Sequence, residues 1–281
     1  MWNAARDGVL PPRDFINFVL AHIANEDQSM LVMSFLGYLT TFVFQYTAAE
    51  NREATIDEVA DKFWQLIQAA KPSSDIQLQL VTFYGRFART AKHQENIKAI
   101  LSGKIKPEGL DLGHDLRWDL MTGLAAGGAV TQAEIDAEYQ TDSTANGQKG
   151  HASASAALAN ADSKSAVWTK LVTTDDYSNA QSASASLSFG RGLKPELLEP
   201  FVDRYFADAQ KIWETKTYKI AEYLLQRLFP INLATQELAD RTRAYLDANP
   251  NQAPAMRRMI VENLSRLERA LAAQKLDKKS S

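Results

Sequence analysis

Cysteine is missing altogether from this 281-residue chain. That single absence removes disulfides, thiolate zinc sites, iron–sulfur ligation and a cysteine nucleophile, and it suits a reducing, cytoplasmic compartment. Histidine is scarce: only His22, His93, His114 and His151 occur, and no two lie one helical turn apart. There is no His-Glu-x-x-His. His22 and Glu26 could share a helix face, but no third ligand accompanies them, so a structural histidine is the expected reading. An excess of charge of either sign is also lacking. Thirty-one basic against thirty-four acidic residues leave a net charge of −3, which gives no footprint for nucleic acid or an anionic membrane. The opening Met1-Trp2-Asn3-Ala4-Ala5-Arg6-Asp7 does not read as a secretory signal.

Other motifs are absent too. Gly147-Gln148-Lys149-Gly150 and Gly190-Arg191-Gly192 lack the lysine and hydroxyl ending of a phosphate loop and follow no strand. No Gly-x-Ser-x-Gly elbow occurs. Carboxylate pairs such as Asp175-Asp176 and Asp136 with Glu138 fall near helix ends, where capping or solvated charge accounts for them. No alternating strand pair is found, and Asn146-Gly147 lies between helical patterns.

What is present is one helix after another. Hydrophobic residues make up 45% of the chain, enough for a large core, and they recur at helical spacing. Pro11-Pro12-Arg13-Asp14 starts a helix that carries Phe15, Phe18, Val19, His22 and Ile23. Between Gln28 and Ala49 no residue is charged; this stretch is expected to be a core helix buried between two layers rather than a membrane span. Further helices are predicted over 52–70, 75–87, 93–101, 115–126, 131–140, 145–158, 162–172, 179–188, 196–215, 217–228, 235–247 and 253–275. Thr131 with Glu134 fits a capping box, each side chain satisfying an exposed amide of the other residue. The alanine- and serine-rich runs 150–157 and 178–186 contain no proline and predict closely packed small-residue helices. The fold is therefore all-α, an irregular solenoid of antiparallel helix pairs with no strict repeat. The lysine-rich tail, residues 276–281, is expected to fray.

Trp2, Trp64, Trp118, Trp168 and Trp213 each sit in a helical pattern and are expected to anchor packing between layers. Basic residues offer the remaining chemistry. Arg86 and Arg89 are spaced by one turn, where a solvated face is the ordinary reading, and Arg117, which precedes Trp118, could pair with an acidic residue across helices; each could instead face the concave side of the solenoid. On the concave side they would receive a carboxylate, such as a peptide C-terminus.

Trp2-Asn3-Ala4-Ala5-Arg6-Asp7-Gly8, Leu116-Arg117-Trp118, the run 135–142 (Ile-Asp-Ala-Glu-Tyr-Gln-Thr-Asp) and Ser163-Lys164-Ser165-Ala166-Val167-Trp168 occur in that order. The run 197–206, Ile212-Trp213-Glu214 and 267–274 follow. Together these segments resemble the C-terminal helical domain of actinobacterial aminopeptidase N, across almost the whole chain. The resemblance implies a HEAT- or armadillo-like superhelix forming one domain, residues 1–281, of a longer zinc aminopeptidase of the gluzincin type. It implies that zinc and catalysis belong to another domain of the same polypeptide, since neither the zinc motif nor the Gly-Ala-Met-Glu-Asn type motif is here. The implied partners are that catalytic domain and a peptide substrate, whose distal part this domain would hold while enclosing the chamber. Arg117, Arg86 and Arg89 are the substrate-facing candidates. A free-standing helical scaffold for a protein partner is the competing expectation.

Overall fold

A computed structural model describes residues 2–279, and among them the secondary structure is entirely helical. The first elements are α1 (Trp2–Arg6), α2 (Pro12–His22) and α3 (Ser29–Thr41), which continues as one π-helical turn, Phe42–Tyr46. Six hairpins follow: α4 (Ala49–Ala69) with α5 (Asp75–Phe87), α6 (Ala91–Leu101) with α7 (His114–Gly127), and α8 (Gln132–Thr141) with α9 (Ala145–Ala157). Next come α10 (Ala161–Val172) with α11 (Asn179–Phe189), α12 (Pro200–Thr215) with α13 (Tyr218–Arg227), and α14 (Gln236–Ala248) with α15 (Pro254–Lys279). Helix starts are set by local chemistry. Ser74, Thr90, Thr144, Asn160 and Thr235 each accept an amide of the first turn, and both Thr131 and Ser178 complete capping boxes. The helix predicted over 196–215 is divided: Pro195–Leu198 forms a 3-10 turn and Pro200 restarts the helix at its first turn.

The second helix of each hairpin packs on the second helix of the next, from α5 through α7, α9, α11 and α13 to α15, making a continuous inner layer. The first helices lie outside and splay apart. Small residues explain why the inner helices approach so closely. A Cβ on Gly123 of α7 would overlap the Gly85 carbonyl of α5, and one on Gly150 of α9 would overlap the Trp118 indole of α7. The serine- and alanine-rich helices α9 and α11 pack along each other as predicted, with Ser153 and Ser188 hydroxyls 2.6 Å apart. Close inner contacts and open outer ones bend the array, and it closes: α15 returns to pack on α1, α2 and the π turn.

Closure corrects two expectations. Residues 276–279 do not fray. The wholly buried Asp277 of α15 accepts Arg13 Nε at 2.7 Å, the Ala48 amide at 2.9 Å and Asn51 Nδ2 at 2.9 Å. Ser280 and Ser281 lie outside the described residues. The uncharged stretch 28–49 is not buried on both sides either. Val32, Leu36, Leu39 and the π turn are in the core, but Met30 and Met33 are 84% and 55% exposed. By length and composition Ser29–Tyr46 could cross a membrane. Its first turns are exposed because α3 opens the array and packs on neighbours along one side.

Trp118 and Trp168 are packing anchors as expected, 4% and 3% exposed, with indole N–H groups donated to Asp142 at 2.9 Å and Asp208 at 2.8 Å. Trp2 stacks on Tyr38 with ring centroids 3.8 Å apart, fixing α1 against α3.

Candidate functional site

The inner helices enclose a trough with two adjoining cavities of about 390 and 440 Å³. Arg86, Leu187 and Arg191 line both, so they form the ridge between them. Leu187 is 67% exposed there, an apolar step between the two. The smaller cavity is of mixed charge, with Asp115, Asp119 and Lys149 around the edge of Trp118. The larger one contains Arg86, Arg191, Arg227 and Arg266 in its walls and, among the described residues, no acidic side chain.

Rigid elements hold these arginines. Arg86 leaves the last turn of α5 with its guanidinium 4.2 Å from the Phe83 ring centroid. Arg191 sits in the loop after α11, and that loop crosses the trough against an aromatic floor. A Cβ at Gly192 would come within 2.6 Å of the Phe44 ring, so only glycine lets the loop lie flat, and Phe44 itself stacks on Phe87 at 5.5 Å. Arg227 donates to the Ala183 carbonyl at 2.7 Å and lies 3.9 Å over the Tyr223 ring. The guanidiniums of Arg86, Arg191 and Arg266 donate no hydrogen bond among the described residues.

Arg86, Arg191 and Arg227 are half-buried, as on a concave floor, and Arg266 is exposed at its edge. Burial pulls the Arg191 guanidinium down to about 10, the like charge of Arg86 pulls it the same way, and Asp119 opposes both. Burial also lowers Arg86 and Arg266, and it raises the carboxyl of Asp119 although both Arg191 and Arg86 act to lower it. The arginines stay cationic at neutral pH, in a setting where water screens them poorly. Arg86 and Arg191 have one carboxylate, Asp119, as their opposite charge.

Of the three candidates from the sequence, Arg86 lines the trough and the other two do not. Arg117 Nε and Nη2 grip Glu138 at 2.6 and 2.7 Å, while Nη1 donates to the Leu101 carbonyl. Arg89 is bidentate to Asp57 at 3.2 and 2.6 Å and also reaches Glu53. Both placements have a physical origin. The turn spacing of Arg86 and Arg89 suggests a common face, but α5 ends at Phe87 and the non-helical Ala88 turns the chain before Arg89. Arg117 is on an inner helix, yet it points along the α6–α8 side, where Glu138 waits. The carboxylate pair Asp136 and Glu138 is likewise occupied, by His151 at 2.7 Å and by Arg117. Three of the trough arginines went unrecognised in the sequence. Arg227 and Arg266 stand on ordinary amphipathic helices, whereas the glycines beside Arg191 were a usable sign of close backbone approach.

His93 is buried against Asp61 at 3.0 Å, His114 lies 3.8 Å from Asp142, and His22 packs on Phe18. Among the described residues no three histidine or carboxylate side chains cluster as metal ligands. Hydrogen-bond donors and an apolar ridge stand together along the trough on rigid helices, and the fold is that of a curved helical domain closed around it.

The model of the ERAP1-like C-terminal domain matches residues 1–269. The chain is also 33% identical, over 277 residues, to Aminopeptidase N of Streptomyces lividans, an alignment that covers 98% of this chain and 32% of that protein. The chain belongs to the family of ERAP1-like C-terminal domains. It spans about a third of the length of the aminopeptidase it resembles.

Proposed function

We propose that this chain is the non-catalytic C-terminal domain of a longer zinc aminopeptidase, which removes N-terminal residues from peptides in the cytoplasm. In this reading zinc is held by a catalytic domain of the same polypeptide. The helical domain closes over that domain, bounds its chamber and holds the distal part of the peptide. Alignment with Aminopeptidase N over nearly the whole chain supports the assignment. The trough of inner helices, with cavities of about 390 and 440 Å³, is the observation that carries the holding role. Spaces of this size take a small ligand or a few peptide residues, not a folded chain. Holding a peptide far from the reacting bond converts binding free energy into position, so a remote grip contributes to the rate at the metal without touching it. Exclusion of bulk water by the closed wall would strengthen the electrostatics inside the chamber.

The isolated 281-residue chain, supplied with zinc, should bind short peptides and leave alanyl and lysyl amide substrates uncut. Metal-dependent turnover by this chain alone would overturn the assignment.

A further inference from the structure

The larger cavity contains more positive charge than a peptide's own terminus requires. One carboxylate saturates one guanidinium fork through two parallel hydrogen bonds. Here Arg86, Arg191, Arg227 and Arg266 all line a space of about 440 Å³ without an acidic residue among the lining side chains. Asp119 opposes Arg86 and Arg191 from the side of the neighbouring cavity, Glu222 acts on Arg227, and among the described residues no carboxylate acts on Arg266. Arg86 and Arg191 therefore repel one another, and Arg86, Arg191 and Arg266 have unused donors. A ligand with a single carboxylate would fill one fork and leave the other donors unused. Two carboxylates a few ångströms apart would fill two forks and offset more of the positive charge. Leu187 on one side and Phe44 and Phe229 on the other supply apolar contact for the carbon skeleton between them.

We infer that this four-arginine cavity selects peptides that end in an acidic residue, taking the side-chain carboxylate together with the terminal one. The inference rests on the peptide-holding reading above and adds a specificity to it. Phosphate presents comparable oxygens, but it lacks the carbon skeleton that the apolar walls contact.

Fluorescence anisotropy of labelled peptides on the 281-residue chain tests this. Three peptides alike except at the end are compared: one ending in Glu, one in Ala, and one in Ala amide. The Glu-ended peptide should bind about tenfold more tightly than the Ala-ended one, with the amide weakest. Arg191→Met should weaken the Glu-ended peptide by about tenfold and flatten the ranking. Arg243→Met changes net charge equally, but on the outer surface beside Asp240 and Glu268; it should leave the ranking within about twofold. Thermal melts of both variants check that they are folded. If no peptide binds in any form, the holding reading falls and this inference with it. If all three peptides bind equally, the holding reading stands and the acidic selectivity is wrong. Binding of inorganic phosphate at the cavity with no peptide bound would overturn both in favour of an anion site.

Discussion

Replacing Lys164 with methionine should remove a dependence of stability on pH that the native chain carries between about 7 and 10.5. Lys164 of α10 is 3% exposed. Its Nζ donates at 2.6 Å to the carbonyls of Ala156 and Phe189, in the last turns of α9 and α11, so a single amine closes two inner helices. No carboxylate acts on it. Burial, with a smaller contribution from the Arg191 charge, lowers it from its ordinary 10.5 to about 7. A neutral amine still has two N–H groups, and the two carbonyls use both. Above about pH 7 the folded chain has released this proton while the unfolded chain keeps it until about 10.5. The unfolded state then binds more protons, so stability must rise with pH across this window, by about 1.4 kcal/mol per pH unit. Below pH 7 both states are protonated and the contribution is flat. Methionine keeps the alkyl packing but not the titration. Urea unfolding of both proteins at pH 6, 7.5 and 9.5 measures the effect, and subtracting the two curves cancels every other titrating group. The native advantage should grow by about 2–3 kcal/mol from pH 7.5 to 9.5. A difference that does not change with pH would mean that the helix-end carbonyls hold Lys164 charged, and the reasoning from burial would be wrong.

Two other perturbations probe the frame around the trough. Arg117→Ala leaves the carboxylate of Glu138, which is 8% exposed, without its bidentate partner; a loss of about 2–3 kcal/mol is expected in chemical denaturation. A double-mutant cycle with Glu138→Gln should recover a coupling above about 1 kcal/mol, and additivity would mark the pair as ornamental. Asp277→Ala removes the carboxylate that joins α15 to Arg13, Ala48 and Asn51, and should cost about 3 kcal/mol. Hydrogen exchange should quicken first in α2 and the last turns of α15, where the ring closes; uniform loosening would show that closure does not depend on this contact.

Much of the architecture was legible along the chain because it is local. Helix starts follow from Ser, Thr and Asn caps, the capping box at Thr131 needs only residues three apart, and the serine-alanine runs announce close packing by their small size. The resemblance to aminopeptidase N was likewise a matter of segments in order. Other features depend on residues far apart in sequence. Asp277 stands in a polar, lysine-rich tail, and its partners are more than 220 residues away, so nothing near it in sequence announces its burial. Met30 and Met33 lie in an apolar stretch, and hydrophobicity alone does not say which side of a helix has a neighbour.

The candidate site divides along the same line. Composition determined that this chain has no cysteine ligand or cysteine nucleophile, four scattered histidines and no His-Glu-x-x-His motif. Which arginines face inward was decided only by tertiary structure. Helical periodicity gives the angle between two residues on one helix, but the direction of the concave face is set by how the hairpins stack. Arg86, Arg191, Arg227 and Arg266 come from four separated segments and meet only because the array closes. Arg117 and Arg89, as basic as any of them, turn away to Glu138 and Asp57, where an acidic partner offers a fixed pair of oxygens.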